Sequence, residues 1–139
     1  MEKTRHIYHV IFQTQNPGLA IPYEGQPDFF TFIARLFTNR KCPVYAVGGG
    51  INHVHVLVEI PYKKDYKGIF NKVKNISWTK ATEHLPIDEF CGWLKGFISF
   101  SIGYRELPYW VDYVEHQDRI HEIKSWAEEK RNLLAEYLL

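Results

Sequence analysis

Two histidines separated by one residue, His53 and His55, and a tyrosine followed four residues later by a glutamine, Tyr113 and Gln117, could do chemistry together. Imidazole nitrogens are the commonest metal ligands, and two of them on one face of a rigid strand can share a cation. With the amide oxygen of Gln117 as third donor, a divalent ion keeps open positions where it can bind a phosphodiester oxygen and neutralise developing charge. A phenol, with an ordinary pKa of about 10, can attack beside such an ion and yields a covalent phosphotyrosine. Covalency conserves the bond energy, so a freed DNA 3′-hydroxyl can rejoin strands without ATP, whereas a hydrolase would use water.

These residues need elements that hold them. Gly48-Gly49-Gly50 reads as a turn into a strand on which Asn52, Val54, Val56 and Val58 point one way and His53, His55, Leu57 and Glu59 the other. The valine face reads as core and the histidine face as a site. Glu59 lies about 13 Å along the strand from His55, too far to bind the same ion. On a helix, Tyr113 and Gln117 stack one above the other, and Tyr109 and His121 extend the stripe. Tyr104 and Tyr109 read as packing or base-stacking residues, and His116 as solvent-facing. His121 reads as an exposed helix-end histidine, with a fourth ligand or general base as the alternative. His6 and His9 read as strand residues near the site with structural roles, and Trp78, Trp93, Trp110 and Trp126 as core.

The remaining elements follow from periodicity and turn residues. A strand is expected over 6–14, ended by Asn16-Pro17-Gly18, then a helix over 28–39 with Asp28 as N-cap. A strand over 43–47 forms a hairpin with the histidine strand, and a helix over 66–84 is stopped by Pro86. A strand over 97–102, a helix opening at Pro108 and running through Gln117, and an amphipathic helix over 120–139 complete the chain. The order predicts an α+β protein: a ferredoxin-like β-α-β-β-α-β-α sheet with helices on one face, plus a C-terminal helix, in a single domain over 1–139. The other sheet face, carrying the histidines, is expected to stay open for binding.

A length of 139 residues and 45% hydrophobic content suit one globular domain. No run approaches the roughly 18 apolar residues of a membrane span, and the N-terminus lacks a signal-peptide core, so a cytoplasmic protein with no membrane partner is expected. Cys42 and Cys91 lack metal-type spacing and read as reduced thiols. The net charge of +1 hides an asymmetry. Residues 61–80 hold six lysines (Lys63, Lys64, Lys67, Lys72, Lys74, Lys80) against Asp65 alone, and residues 106–136 hold eight acids against four bases. Standing alone the lysines read as a solvated helix face; beside a metal-type site, Lys63, Lys64, Lys67, Lys72 and Lys74 become candidates for tracking a DNA backbone.

The stretch His53-Val54-His55 resembles the histidine-hydrophobic-histidine signature of HUH endonucleases. Its setting, Gly48-Gly49 before Asn52-His53-Val54-His55-Val56-Leu57, is similar to the single-tyrosine transposases of small insertion sequences. Trp93-x-x-Gly96-Phe97-x-x-Phe100-Ser101 and Tyr113-Val114-x-x-Gln117-x-x-x-His121 resemble the second half of that family, especially the branch associated with repetitive extragenic palindromes (REP). The resemblance covers roughly 7–121 and implies a metal-dependent transposase that cleaves and rejoins single-stranded DNA through a 5′-phosphotyrosine. It implies Tyr113 as nucleophile, His53, His55 and Gln117 as ligands to Mg²⁺ or Mn²⁺, and hairpin-bearing DNA as partner. It further implies a homodimer in which the tyrosine helix of one subunit completes the histidine site of the other. Two other classes compete: a noncatalytic single-stranded nucleic-acid-binding module using the open sheet face, and a water-using metal hydrolase. Both would tolerate Tyr113→Phe.

Overall fold

The computed structural model describes residues 1–85 and 92–138. Pro86, expected to stop the second helix, and Cys91 lie outside the described residues. The elements are β1 (Ile7–Gln13), α1 (Gln26–Thr38), β2 (Val44–Gly49), β3 (His53–Glu59), α2 (Tyr66–Thr79), β4 (Ile98–Ile102), α3 (Leu107–Glu115), α4 (Gln117–His121) and α5 (Trp126–Tyr137). The four strands form one antiparallel sheet in the order β2-β3-β1-β4, the ferredoxin-like arrangement that the element order predicts.

Side-chain alternation divides the sheet into two faces. Val10 and Phe12 of β1 join Val54, Val56 and Val58 of β3, and α1 and α2 cover them with Phe29, Ile33, Phe37, Phe70 and Val73. The opposite face carries Ile7, His9 and Ile11 of β1, His53, His55 and Leu57 of β3, and Phe100 of β4. This face is not open as expected. Leu107, Trp110 and Val114 of α3 and Leu133 of α5 pack on it in a second apolar cluster. The cause lies in composition: a face presenting Ile7, Ile11, Leu57 and Phe100 is too apolar to leave in water, and the appended helices bury it. Helices therefore lie on both faces, those of the ferredoxin-like core on one and the added ones on the other.

Several boundaries moved for local reasons. Helix α1 starts at Gln26, after a 3₁₀ turn over Tyr23–Gly25, with Pro27 in its first turn; Asp28 sits inside that turn and does not cap it. The segment after Pro108 breaks at His116, whose φ of −117° and ψ of 38° leave the helical region, so Gln117 opens the short α4. The last helix begins only at Trp126, where the Ser125 hydroxyl accepts the Glu128 N–H as a true cap. Lys74, expected on the surface, is buried, and its ammonium donates to the carbonyls of Leu94 and Gly96 at 2.7 and 2.5 Å. It fastens the approach to β4 and is withdrawn from the DNA-contact candidates. Among the described residues no helix is long and apolar enough to cross a membrane.

Gly48 sets where α3 can lie. A Cβ built there would meet the Val114 carbonyl oxygen at 2.1 Å, so the backbones of β2 and α3 approach more closely than any side chain allows. Gly48→Ala is expected to lower the free energy of unfolding by about 2 kcal/mol in urea denaturation, by forcing α3 outward. Gly18→Ala, where the nearest neighbour is a side-chain atom at 3.4 Å, is expected to stay within about 0.5 kcal/mol.

Candidate active site

The histidine face of β3 brings His53 and His55 under α3, α4 and α5, and a third strand residue joins them. His9 of β1 lies diagonally across from His55, and its Nε2 shares a hydrogen bond with His55 Nδ1 at 2.7 Å. That bond fixes the His55 ring and leaves its Nε2 buried without a partner. His53 is fixed similarly: its Nδ1–H donates to Asn52 Oδ1 at 2.9 Å, while the Asn52 amide nitrogen is anchored on the Pro17 carbonyl. Both rings thus present Nε2 to the same space, each oriented by a neighbour through its other nitrogen, as metal-binding histidines are.

Gln117 and Tyr113 reach that space from above. The Gln117 amide nitrogen donates to Glu129 Oε2 at 3.0 Å and lies 3.4 Å from the Tyr113 carbonyl oxygen, which turns Oε1 toward His53 Nε2 at 3.1 Å. The Tyr113 hydroxyl donates to the same Glu129 Oε2. The interruption of the helix at His116 does not separate Tyr113 from Gln117, whose amide nitrogen still reaches the Tyr113 carbonyl one turn back. Within the chain, His53, His55, Tyr113 and Gln117 all gather around the Glu129 carboxylate. The exposed Lys63, Lys64, Lys67 and Lys72 belong to α2 and the loop before it, on the opposite face of the sheet.

Two residues add to the expected set. His121, read as an exposed helix end, donates Nδ1–H to the Lys124 carbonyl at 3.1 Å, and its Nε2 lies 3.3 Å from His53 Nε2 and 3.2 Å from Gln117 Oε1. Glu129 of α5 went unread in the sequence. Its Oε1 is 3.5 Å from His53 Nε2 and 3.2 Å from His121 Nε2, and its Oε2 is 3.6 Å from His55 Nε2. The available signal was periodicity: Trp126, Glu129 and Leu133 share one helix face, so the carboxylate stands on the apolar stripe. Trp126, read as core, is half-buried and stacks on the His53 ring, centroids 4.0 Å apart. Trp93 and Trp110 are buried as expected, while Trp78 is exposed.

Burial holds His53 at a pKa of about 4, so it is neutral near pH 7 and its Nε2 is a bare lone pair. Burial, reinforced by the hydrogen bond to Glu129, raises the Tyr113 hydroxyl. Lone pairs of His53, His121, Gln117 and Glu129 thus converge on one small volume, while His55 Nε2 and Glu129 Oε1 have no hydrogen-bond partner. Such a set fits a cation. His53, His55 and Glu129 offer ligand atoms within 4.8 Å of one another, so this group could bind a metal ion.

Residues 2–117 match the family model described as "Transposase IS200 like". The chain belongs to the IS200-like transposase family. Its fold is shared by a putative transposase from Deinococcus radiodurans, with a TM-score of 0.64 and 17% identity over 84% of this chain and 98% of that one. A REP-associated tyrosine transposase bound to a REP hairpin is similar too, with a TM-score of 0.63 and 14% identity over 87% and 74% of the two chains. No curated protein sequence matches the chain. Within this IS200-like transposase the matched segment supplies His53, His55, Tyr113 and Gln117, and ends before His121 and Glu129.

The buried imidazoles make the fold sensitive to acid. With His53 at about 4 in the folded chain and 6.5 unfolded, its contribution is fully present above pH 6.5 and is lost as the pH falls toward 4. His9, lowered by burial and then by His55, acts in the same direction. In metal-free buffer the free energy of unfolding is expected to drop by about 3 kcal/mol on His53's account over that window. Urea titrations at stepped pH check this, and His53→Gln is expected to flatten the slope.

Proposed function

We propose that this IS200-like transposase cleaves and rejoins single-stranded DNA through a covalent 5′-phosphotyrosine on Tyr113, with His53, His55 and Gln117 as metal ligands. The observation that supports it above others is that the Tyr113 hydroxyl, the Gln117 amide and both β3 histidines gather around one carboxylate, that of Glu129. A water-using hydrolase would have no need of a phenol at that position.

The step runs as an in-line displacement. The Tyr113 hydroxyl gives up its proton and its oxygen bonds to phosphorus; the bond from phosphorus to the 3′-oxygen breaks, and that oxygen leaves as a 3′-hydroxyl after taking up a proton. Attack by a 3′-hydroxyl on the phosphotyrosine reverses the sequence and joins strands. Bound Mg²⁺ or Mn²⁺ would supply positive charge against the phosphate oxygens as negative charge develops there. His9 and Asn52 keep the two ligand rings turned inward, and the Gln117 amide is held by Glu129 and the Tyr113 backbone.

A structural neighbour bound to a REP hairpin supports hairpin-bearing single strands as the partner. Lys63, Lys64, Lys67 and Lys72 would then hold backbone phosphates of the stem, away from the reacting strand; Lys64 and Lys72 border a shallow groove with Arg40. We further propose a cytoplasmic homodimer of one strand-transfer domain over 1–139. Dimerisation would serve to pair DNA ends.

Incubation with labelled, hairpin-bearing single-stranded oligonucleotides and Mn²⁺ is expected to give a covalent protein–DNA band in denaturing electrophoresis. Tyr113→Phe and chelation should each abolish it, and His53→Ala should lower it at least 100-fold. Binding that survives chelation with no band in any oligonucleotide would leave a noncatalytic binder instead.

A further inference from the structure

A cleft of about 540 Å³ opens beside His53 and Gln117. Small-molecule sites run from about 300 to 1,000 Å³, so it is large enough for a ligand. Trp126 and Tyr23 supply aromatic wall, and Tyr23 is 72% exposed, within reach of an incoming ring. Gly50 keeps the inner end clear: a Cβ there would stand 3.1 Å from His53 Cε1 and 4.0 Å from His121 Cδ2. The cleft also carries Asp118 and Glu122, four residues apart on one face of α4 and its C-terminal cap. Both are exposed, and among the described residues neither carboxylate has a hydrogen bond or an ion pair. Free acceptors beside aromatic walls suit a flat ligand that carries N–H donors. We propose that this cleft holds the base next to the scissile phosphate and, through Asp118 and Glu122, selects one with an exocyclic amino group: cytosine, adenine or guanine. Its place beside the phosphate rests on the strand-transfer reading; the preference among bases does not.

Charge decides which part of a nucleotide enters. No lysine or arginine lines the cleft, so its two carboxylates would repel a phosphate placed there. The phosphate is left at the end formed by His53 and Gln117, beside the ligand atoms that suit a cation. A metal ion is the poorer occupant of the cleft itself. Among the described residues, the group of histidines and acids placed to hold an ion is His53, His55 and Glu129, without Asp118 or Glu122. An ionised carboxylate only accepts, so each of these two needs an N–H from its partner. The amino groups of cytosine, adenine and guanine supply one, whereas thymine presents O4 and a methyl group, and oxygen lone pairs would face each other. Unpaired bases have these edges free, which fits a single-stranded substrate.

Fluorescence anisotropy with the full Tyr113→Phe chain and Mn²⁺ reads binding without turnover. The oligonucleotides carry a hairpin between all-thymine single-stranded flanks, into which one cytosine, adenine or guanine is moved a position at a time. At one flank position an amino-bearing base is expected to tighten binding about fivefold or more over thymine. Adding Asp118→Asn and Glu122→Gln together is expected to bring that ratio within about twofold, because an amide both donates and accepts and so takes thymine as well. Affinity indifferent to the base at every position overturns the proposal, as does a preference that survives both amide substitutions. The chain with Tyr113 intact separates this from strand transfer. A covalent adduct formed without base preference removes the pocket and leaves the tyrosine chemistry standing. A carboxylate-dependent preference in binding with no adduct in any oligonucleotide upholds the pocket and removes the strand-transfer reading.

Discussion

The structure around β3 depends on a shortage of protons. Asn52 and the Lys124 carbonyl engage one nitrogen of His53 and His121, a shared hydrogen bond with His9 engages one of His55, and Gln117 is turned so that its oxygen faces inward. What remains inside is a set of acceptors with too few donors among them. In a protein interior that arrangement costs stability unless a cation compensates. The Tyr113 hydroxyl and the Gln117 amide supply the two hydrogen bonds that steady the Glu129 carboxylate there. Sheet, capping residues and appended helices can all be understood as what keeps this unbalanced set together.

The sequence made the scaffold legible where one periodicity had one meaning. Alternation along 53–59 separated the valines from the histidines, and the structure has the same separation. The ferredoxin-like order followed from the element order. The opposite face was misjudged because openness depends on what the remaining chain does, and local pattern along β1 and β4 could not say that α3 would return to cover Ile11 and Phe100.

Lys74 was misread, and Glu129 went unread, for one shared reason. Each is a charged residue standing on a helix stripe of buried residues, Trp126 and Leu133 in one case, Phe70 and Ser77 in the other. Charge was taken as evidence of exposure, yet position on the stripe decides burial, and a buried charge demands a specific partner. Lys74 finds two carbonyls and becomes a structural fastener; Glu129 finds imidazoles, an amide and a phenol and enters the site. His9 follows the same logic, since a strand position two residues from Ile11 on the same face placed it beside His55.

Strand β1 is the first element in the chain and a central strand of the sheet, pairing with β3 on one side and β4 on the other. Its neighbours are synthesised only after residues 53 and 98, so a sticky segment, Ile7 to Gln13, emerges from the ribosome with both edges unpaired. Such non-local pairing makes folding slow and leaves β1 available to wrong partners meanwhile. The geometry that shelters the chemistry in the finished molecule therefore leaves the growing chain open to mispairing until its partner strands have been made.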